Sequence, residues 1–283
     1  MRVLAAAALL CVVCSSAVAE TADQGHAIER DIAYQPDHPN DYARERGVLD
    51  IYYPEDHEGF ATVVWFHAGG LLNGEKWIPP ALRDQGIAVV AANYRFSPKA
   101  TAPAYIEDAA AAVAWTLDHI AEYGGDPNLV FVSGHSAGGY LASMIGLDNR
   151  WLEGHERNPD QLAGLIPVSG HTITHFTVRA ERDIPGTQAI IDDLAPQFHV
   201  RPDCPPVLLI TGDREMELLG RYEENAFFWR MMQEVGHPDC TIEELGGFDH
   251  GGVVRPSFDL VLRFIERISA SRLRDPATPA RSD

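Results

Sequence analysis

Short apolar runs recur along the chain: ATVVWFHA (61–68), IAVVAAN (87–93), LVFVS (129–133), LAGLIPV (162–168), PVLLIT (206–211) and CTIEEL (240–245). They are close to unbroken, which suits parallel strands covered on both faces. Helical patterns lie between them. Over 104–123, Ile106, Ala110, Val113, Leu117 and Ile120 recur at offsets of four, three, four and three, and Gly124-Gly125 supplies a stop. Segments 222–235 and 257–271 read the same way, the second with Val261, Phe264, Ile265 and Ile268 on one stripe. This alternation predicts an α/β fold: a doubly wound, mostly parallel sheet with flanking helices. Upstream, AIERDIAY and GVLDIYYP predict an antiparallel pair at the start of the sheet, because Leu49, Ile51 and Tyr53 alternate with Asp50 and Tyr52.

The chain has 283 residues, 46% hydrophobic and 22% charged, with no linker in its middle. One domain over 20–274 accounts for this, carrying a small polar insertion at about 169–203. Residues 1–19 carry one arginine, a wholly apolar stretch over 3–13, and small residues ending in Ala17-Val18-Ala19. That is the pattern of a secretory signal, so export to the periplasm or the medium is expected. The polar, proline-bearing 275–283 is expected to be a disordered tail. Export would leave Cys204 and Cys240 in an oxidising compartment, where an even pair predicts a disulfide. The formal charge of −19, with basic residues unclustered, repels phosphate backbones and anionic lipids. Nucleic acid and membrane surfaces are therefore not expected partners. The oligomeric state is not legible.

In a doubly wound sheet, chemistry collects beyond the carboxyl ends of the strands. After LVFVS stands Ser136 within Gly134-His135-Ser136-Ala137-Gly138. Glycines there allow a sharp strand-to-helix turn that exposes the serine and aims the first helical N–H groups at whatever it attacks. After TVVWFH stand Ala68, Gly69, Gly70 and Leu71, a glycine pair able to turn amides toward a developing oxyanion. After CTIEEL stands His250, flanked by glycines. A serine hydroxyl needs an imidazole to take its proton, and His250 follows the last strand. His171 and His175, four residues apart, have no third ligand nearby, and a loop lining the pocket or plain surface accounts for them better than a metal. The acid is sought after PVLLIT, in Gly212-Asp213-Arg214-Glu215-Met216-Glu217. Register favours Glu215, three residues after the glycine, while Asp213 is the commoner residue type.

Together these features resemble the α/β-hydrolase superfamily of serine esterases and lipases. HAGG is similar to its HGGG oxyanion motif, NYRFSP (93–98) to its YRLAP segment, and EYGGDPNLVFVSGHSAGG to its approach to the nucleophile elbow. GHSAGG looks most like the feruloyl and acetyl-xylan esterase branch and the arylformamidases. The resemblance covers nearly the whole chain after the leader. It implies Ser136 as nucleophile, His250 as base, Glu215 as acid with Asp213 as the alternative, and Gly69, Gly70 and Ala137 as oxyanion donors. Ala68 replaces a glycine of the family motif, and glutamate replaces the usual aspartate. His67, Leu71, Trp77 and His135 are the candidates for a substrate pocket. Acyl transfer by this route needs no metal or organic cofactor. The polar insertion favours small, medium or carbohydrate-linked esters over long-chain lipids. Amide cleavage of the arylformamidase kind is the alternative. A non-catalytic member of the fold is the remaining one, although such proteins usually lose the serine or the histidine.

Overall fold

The computed structural model describes residues 25–274. The expected leader (1–19) and tail (275–283) lie outside the described residues. In chain order the strands are β1 (His26–Ala33), β2 (Val48–Pro54), β3 (Phe60–Phe66), β4 (Ala88–Ala92), β5 (Gly125–His135), β6 (Gly164–Val168), β7 (Val207–Gly212) and β8 (Cys240–Leu245). They form an eight-stranded sheet in the order β1-β2-β4-β3-β5-β6-β7-β8. The β1/β2 and β2/β4 pairs are antiparallel and every later pair is parallel. The helices are α1 (Asp41–Arg46), α2 (Ala104–His119), α3 (Ala137–Leu147), α4 (Asn149–Glu153), α5 (Phe176–Glu181), α6 (Arg221–Glu234) and α7 (Val254–Arg274).

The unbroken apolar runs are explained by cover on both faces. In β3, Val64 and Phe66 join the core that contains Ile106, Val113, Leu141 and Phe228, from α2, α3 and α6. Val63 and Trp65 point to the opposite core, with Phe258, Val261 and Phe264 of α7. Each such fully buried large side chain contributes about 1.5–3 kcal/mol relative to exposure. The edge strand β8 departs from the expectation. Its side chains alternate between exposed and half-buried, because no strand lies beyond it and Thr241 and Glu243 face water. Helix α2 passes into one tighter turn, Ile120–Tyr123, and Gly124 ends it in a left-handed conformation (φ 91°).

The expected Cys204–Cys240 disulfide is not present; both cysteines are free thiols. The sheet register explains this. Cys240 pairs with Val207, three residues beyond Cys204, so the two do not face each other across the ladder. The Cys204 carbonyl is held by His237 Nε2 at 2.9 Å. Burial pushes each thiol up to about 12, which suppresses the thiolate that disulfide formation requires. Among the described residues, no helix is long and apolar enough to cross a membrane.

Candidate active site

β5 ends at His135, α3 begins at Ala137, and Ser136 makes the turn between them with φ 56° and ψ −112°. A non-glycine residue held there costs on the order of 1–3 kcal/mol, so the surroundings must enforce it. They do. The Ser136 N–H donates to the Val168 carbonyl of β6 at 2.8 Å. A Cβ at Gly134 would stand 2.6 Å from the Phe66 carbonyl oxygen, and one at Gly138 would collide with the same group. The small residues flanking the serine thus let the first turn of α3 press onto the end of β3.

His250 Nε2 lies 2.8 Å from Ser136 Oγ, as the sequence predicts. The acid against it is neither Glu215 nor Asp213. His250 Nδ1 lies 2.7 Å from Glu217 Oε2. After Gly212 the backbone takes a helical turn, with the Glu217 N–H donating to the Asp213 carbonyl at 2.8 Å. That turn spends two more residues than the register expected and swings Glu217 back under the sheet end. Its Oε1 accepts the Gly212 N–H at 3.0 Å and the Ser169 hydroxyl. Burial opposes ionisation, but hydrogen bonds from His250, Ser169 and Gly212 hold the Glu217 carboxyl down at about 2. Glu215 is exposed, its N–H donating to Asp213 Oδ1 at 2.9 Å. Asp213 staples two loops instead. Its Oδ2 accepts the Gly247 N–H at 2.7 Å, and its own N–H donates to the Phe248 carbonyl at 2.8 Å.

The glycine pair lies in the loop leaving β3. Gly69 has φ 120° and Gly70 φ 65°. A Cβ at Gly69 would collide with the Asn73 carbonyl, because Leu72 and Asn73 fold back to donate to the Gly69 carbonyl. Ala137 is the first residue of α3, so its N–H has no partner within the helix. The NYRFSP segment braces this loop. The Tyr94 hydroxyl donates to the His67 carbonyl at 2.8 Å. Arg95 grips the buried Asp108 of α2 through Nε and Nη2, each at 2.8 Å.

A serine on a strand-to-helix turn, an imidazole and a carboxylate in one hydrogen-bonded chain, and a glycine loop beside them are the machinery of nucleophilic acyl transfer. The BD-FAE family model matches residues 49–165. A truncated form of a carbohydrate esterase from gut microbiota superposes with a TM-score of 0.73, covering 89% of this chain and 99% of that one at 18% identity. The chain has the α/β-hydrolase fold. Among curated hydrolases it is 31% identical over 214 residues to the probable carboxylic ester hydrolase LipM of Mycobacterium tuberculosis, covering 66% of this chain and 48% of that protein. It is 36% identical over 149 residues to the probable isoprenylcysteine alpha-carbonyl methylesterase ICMEL1 of Oryza sativa subsp. japonica, covering 47% and 35%. The chain thus spans about half or less of the length of these relatives.

Around Ser136 and His250, the candidates for a pocket take other positions. Leu71 is fully buried with φ 62°, and its neighbour Leu72 is the exposed one. His67 is buried, stacked on Tyr94 at 4.4 Å, with Nδ1 2.6 Å from the Ala68 carbonyl. Burial drives its pKa down to about 4, so it props the oxyanion loop as a neutral ring. His135 Nε2–H donates to the His250 carbonyl at 2.7 Å, and burial lowers its pKa to about 4. It therefore holds the His250 backbone. Trp77 packs edge-on against Trp65, which meets Phe258 of α7.

The first part of the insertion after β6 closes over the loop of Gly69 and Gly70 with its polar residues buried, whereas Arg182, Asp183, Thr187 and Gln188 further on are exposed. His171, Thr172, Thr174, His175, Thr177 and Arg179 are all buried. The Thr177 hydroxyl donates to the Gly70 carbonyl, and the Phe176 ring lies against Gly70. Ser169, Phe176 and Glu217 are the site residues that sequence reasoning missed. Glu217 carried one weak signal, a carboxylate one helical turn after Asp213. Ser169 carried the signal of standing directly after the apolar run 162–168, at a strand end, whereas Phe176 carried none, since only the crossover of the insertion brings it to the centre.

Proposed function

We propose that the protein is an exported serine carboxylic ester hydrolase acting on short-chain or carbohydrate-linked esters through a covalent acyl-enzyme. The observation that carries this reading is the unbroken hydrogen-bonded chain Ser136 Oγ–His250–Glu217, with links of 2.8 and 2.7 Å. Ser136 attacks the ester carbonyl as His250 Nε2 takes its proton. The ionised Glu217 accepts the His250 Nδ1–H, which fixes the productive tautomer and stabilises the imidazolium. The tetrahedral oxyanion gathers against the N–H groups of Ala137 and of Gly69 or Gly70. Collapse expels the alcohol, which receives the proton from His250. Water, deprotonated by His250, then attacks the acyl-serine, and Ser136 recovers its proton as the acid leaves.

Substrate class is inferred from the walls. The buried polar first part of the insertion, 171–179, favours ligands with groups to satisfy it and penalises bare hydrocarbon. Exposed Leu72, Leu218 and Phe248, adjoining the oxyanion loop, Glu217 and the His250 loop, suit a short acyl or aryl group. Export rests on the leader pattern in 1–19, and the name of the gut carbohydrate esterase agrees with a polymer-linked ester.

Hydrolysis of p-nitrophenyl acetate tests the reaction. Ser136→Ala is expected to lower kcat by about 10⁴-fold or more with the fold retained, because removal of a triad member has that effect. A tenth of the wild-type rate surviving in a folded variant would reject the mechanism. Across acyl lengths, kcat/KM is expected to peak at acetyl to butyryl or at aryl-acid sugar esters. A maximum at dodecanoyl with activation at an oil interface would reject the substrate class.

A further inference from the structure

Both oxygens of Glu217 are held twice over. Oε2 takes the His250 Nδ1–H at 2.7 Å and the Leu218 N–H at 3.1 Å. Oε1 takes the Gly212 N–H at 3.0 Å and the Ser169 hydroxyl. Gly212 and Leu218 belong to the acid's own turn, and His250 is the base it serves. Ser169 comes from elsewhere, directly after β6, and moves no proton in the acyl transfer. A glutamate has one more rotatable bond than an aspartate, so its carboxylate has more freedom to lose before it can orient an imidazole. A donor arriving from a second strand end removes that freedom.

Ser169 is itself clamped. It is fully buried, with φ 47°. A non-glycine residue stays in that left-handed region only where its surroundings enforce it. Here both backbone groups are gripped. The N–H donates to the Ile210 carbonyl of β7 at 2.7 Å. The carbonyl accepts the Arg221 Nη1–H from the first turn of α6. Arg221 is also fully buried, and its Nε–H donates to Glu224 Oε1 at 2.9 Å. Glu224 is fixed in turn by the N–H groups of Thr172 at 3.3 Å and Ile173 at 3.2 Å. Burial opposes the charge on Arg221, while Glu224 and Glu217 favour it. The guanidinium fork spends one arm on a carboxylate and the other on the Ser169 carbonyl, a grip that a lysine ammonium does not reproduce. With its backbone fixed at both ends, Ser169 gives its one hydroxyl proton to Glu217 Oε1.

We propose that Ser169 is a positioning residue for the reaction: its hydroxyl, aimed by the Arg221 clamp on its backbone, locks the Glu217 carboxylate with Oε2 toward His250 Nδ1. This rests on the esterase reading and deepens it. Without the hydroxyl, Oε1 keeps only the Gly212 N–H, and the carboxylate can turn about its terminal bond away from the imidazole. A hydroxyl-to-carboxylate hydrogen bond is charge-assisted, and the loss of one that orients the acid corresponds to about tenfold or more in rate.

Turnover of p-nitrophenyl acetate by the wild type, Ser169→Gly, Glu217→Gln and the double variant tests this. Glycine suits φ 47° and removes the hydroxyl without disturbing the backbone. Ser169→Gly is expected to lower kcat by about tenfold or more, with KM moving by less than about threefold. In the Glu217→Gln protein the same change is expected to cost less than about threefold, because the hydroxyl then has no carboxylate to orient. A further tenfold loss on top of Glu217→Gln would overturn the proposal, since a merely structural serine costs the same in both backgrounds. So would a Ser169→Gly protein that keeps kcat within about threefold of the wild type. Where Ser169→Gly fails to fold, Ser169→Ala removes the same hydroxyl and carries the same predictions. Arg221→Lys keeps the buried charge beside Glu224 but loosens the clamp. It should lower kcat by about threefold or more alone and by less than about twofold in the Ser169→Gly protein, where no hydroxyl is left to aim. Equal losses in the two backgrounds would overturn the action of Arg221 through Ser169. A wild-type protein inactive on every ester would instead bring down the esterase reading itself.

Discussion

Glu217 reaches His250 by way of a single backbone turn, and at the scale of the residue this is the feature most open to test. Glu217→Gln is expected to lower kcat by on the order of 10³–10⁴-fold, since the orienting carboxylate fixes the imidazole tautomer. Glu215→Gln should change it by less than about threefold, because its side chain is exposed and holds nothing in the site. Asp213→Asn should fall between, weakening the staple to Gly247. A ranking with Glu215 or Asp213 above Glu217 would overturn the assignment. His67 and His135, offered by the sequence as pocket residues, work one step back from the substrate. One braces the oxyanion loop, and the other holds the backbone of the base.

At the scale of the element, the site is a set of loops pinned to the ends of β3, β5, β7 and β8. The loop after β3 is the most tightly specified, since Gly69 must keep φ 120° against the Asn73 carbonyl. Gly69→Ala is expected to lower kcat by about 10²–10³-fold, the scale of losing an oxyanion donor. KM on p-nitrophenyl acetate should move by less than about threefold, and the far-UV circular dichroism spectrum should be preserved. An unchanged kcat would mean that this loop does not stabilise the oxyanion. The strands along the chain and the elbow were legible because period and turn chemistry are local, whereas the order of the strands in the sheet was not. The exposed face of β8 was not, because edge position depends on which strands lie beside it.

At the scale of the whole molecule, buried imidazoles set the response to acid. His67 and His135 have folded pKa values near 4, against an ordinary 6.5, through burial. Burial also lowers His171 and His175. The unfolded chain therefore binds more protons than the folded one, and stability falls as pH drops from about 6.5 to 4, by roughly 3 kcal/mol for each of the first two. Glu217, depressed from 4.5 to about 2, adds a further loss as pH falls from 4.5 through 2. Glu224 runs the other way, since burial raises it to about 7 and acid relieves that cost. Four imidazoles outweigh one carboxyl, so the urea midpoint is expected to fall steadily from pH 7 to 4.5. A flat or rising midpoint over that interval would show that these rings do not stay neutral in the folded protein.

The apolar runs and their helical spacers determined the doubly wound sheet. The glycines around Ser136 determined the elbow, and the place of His250 after the last strand determined the base. Each of these is written in a few contiguous residues, where hydrophobic period and backbone sterics act. The choice of Glu217 over Glu215 and Asp213 belonged to the tertiary structure. Three carboxylates of similar chemistry lie within five residues, and only the turn after Gly212, anchored by Ser169 from another strand end, selects which one faces the imidazole. The fate of Cys204 and Cys240 was likewise decided by sheet register. Tertiary contacts also buried His171, Thr172, Thr174, His175 and Thr177, for which the sequence left pocket lining and plain surface open, as α6 and the Gly70 loop closed around them.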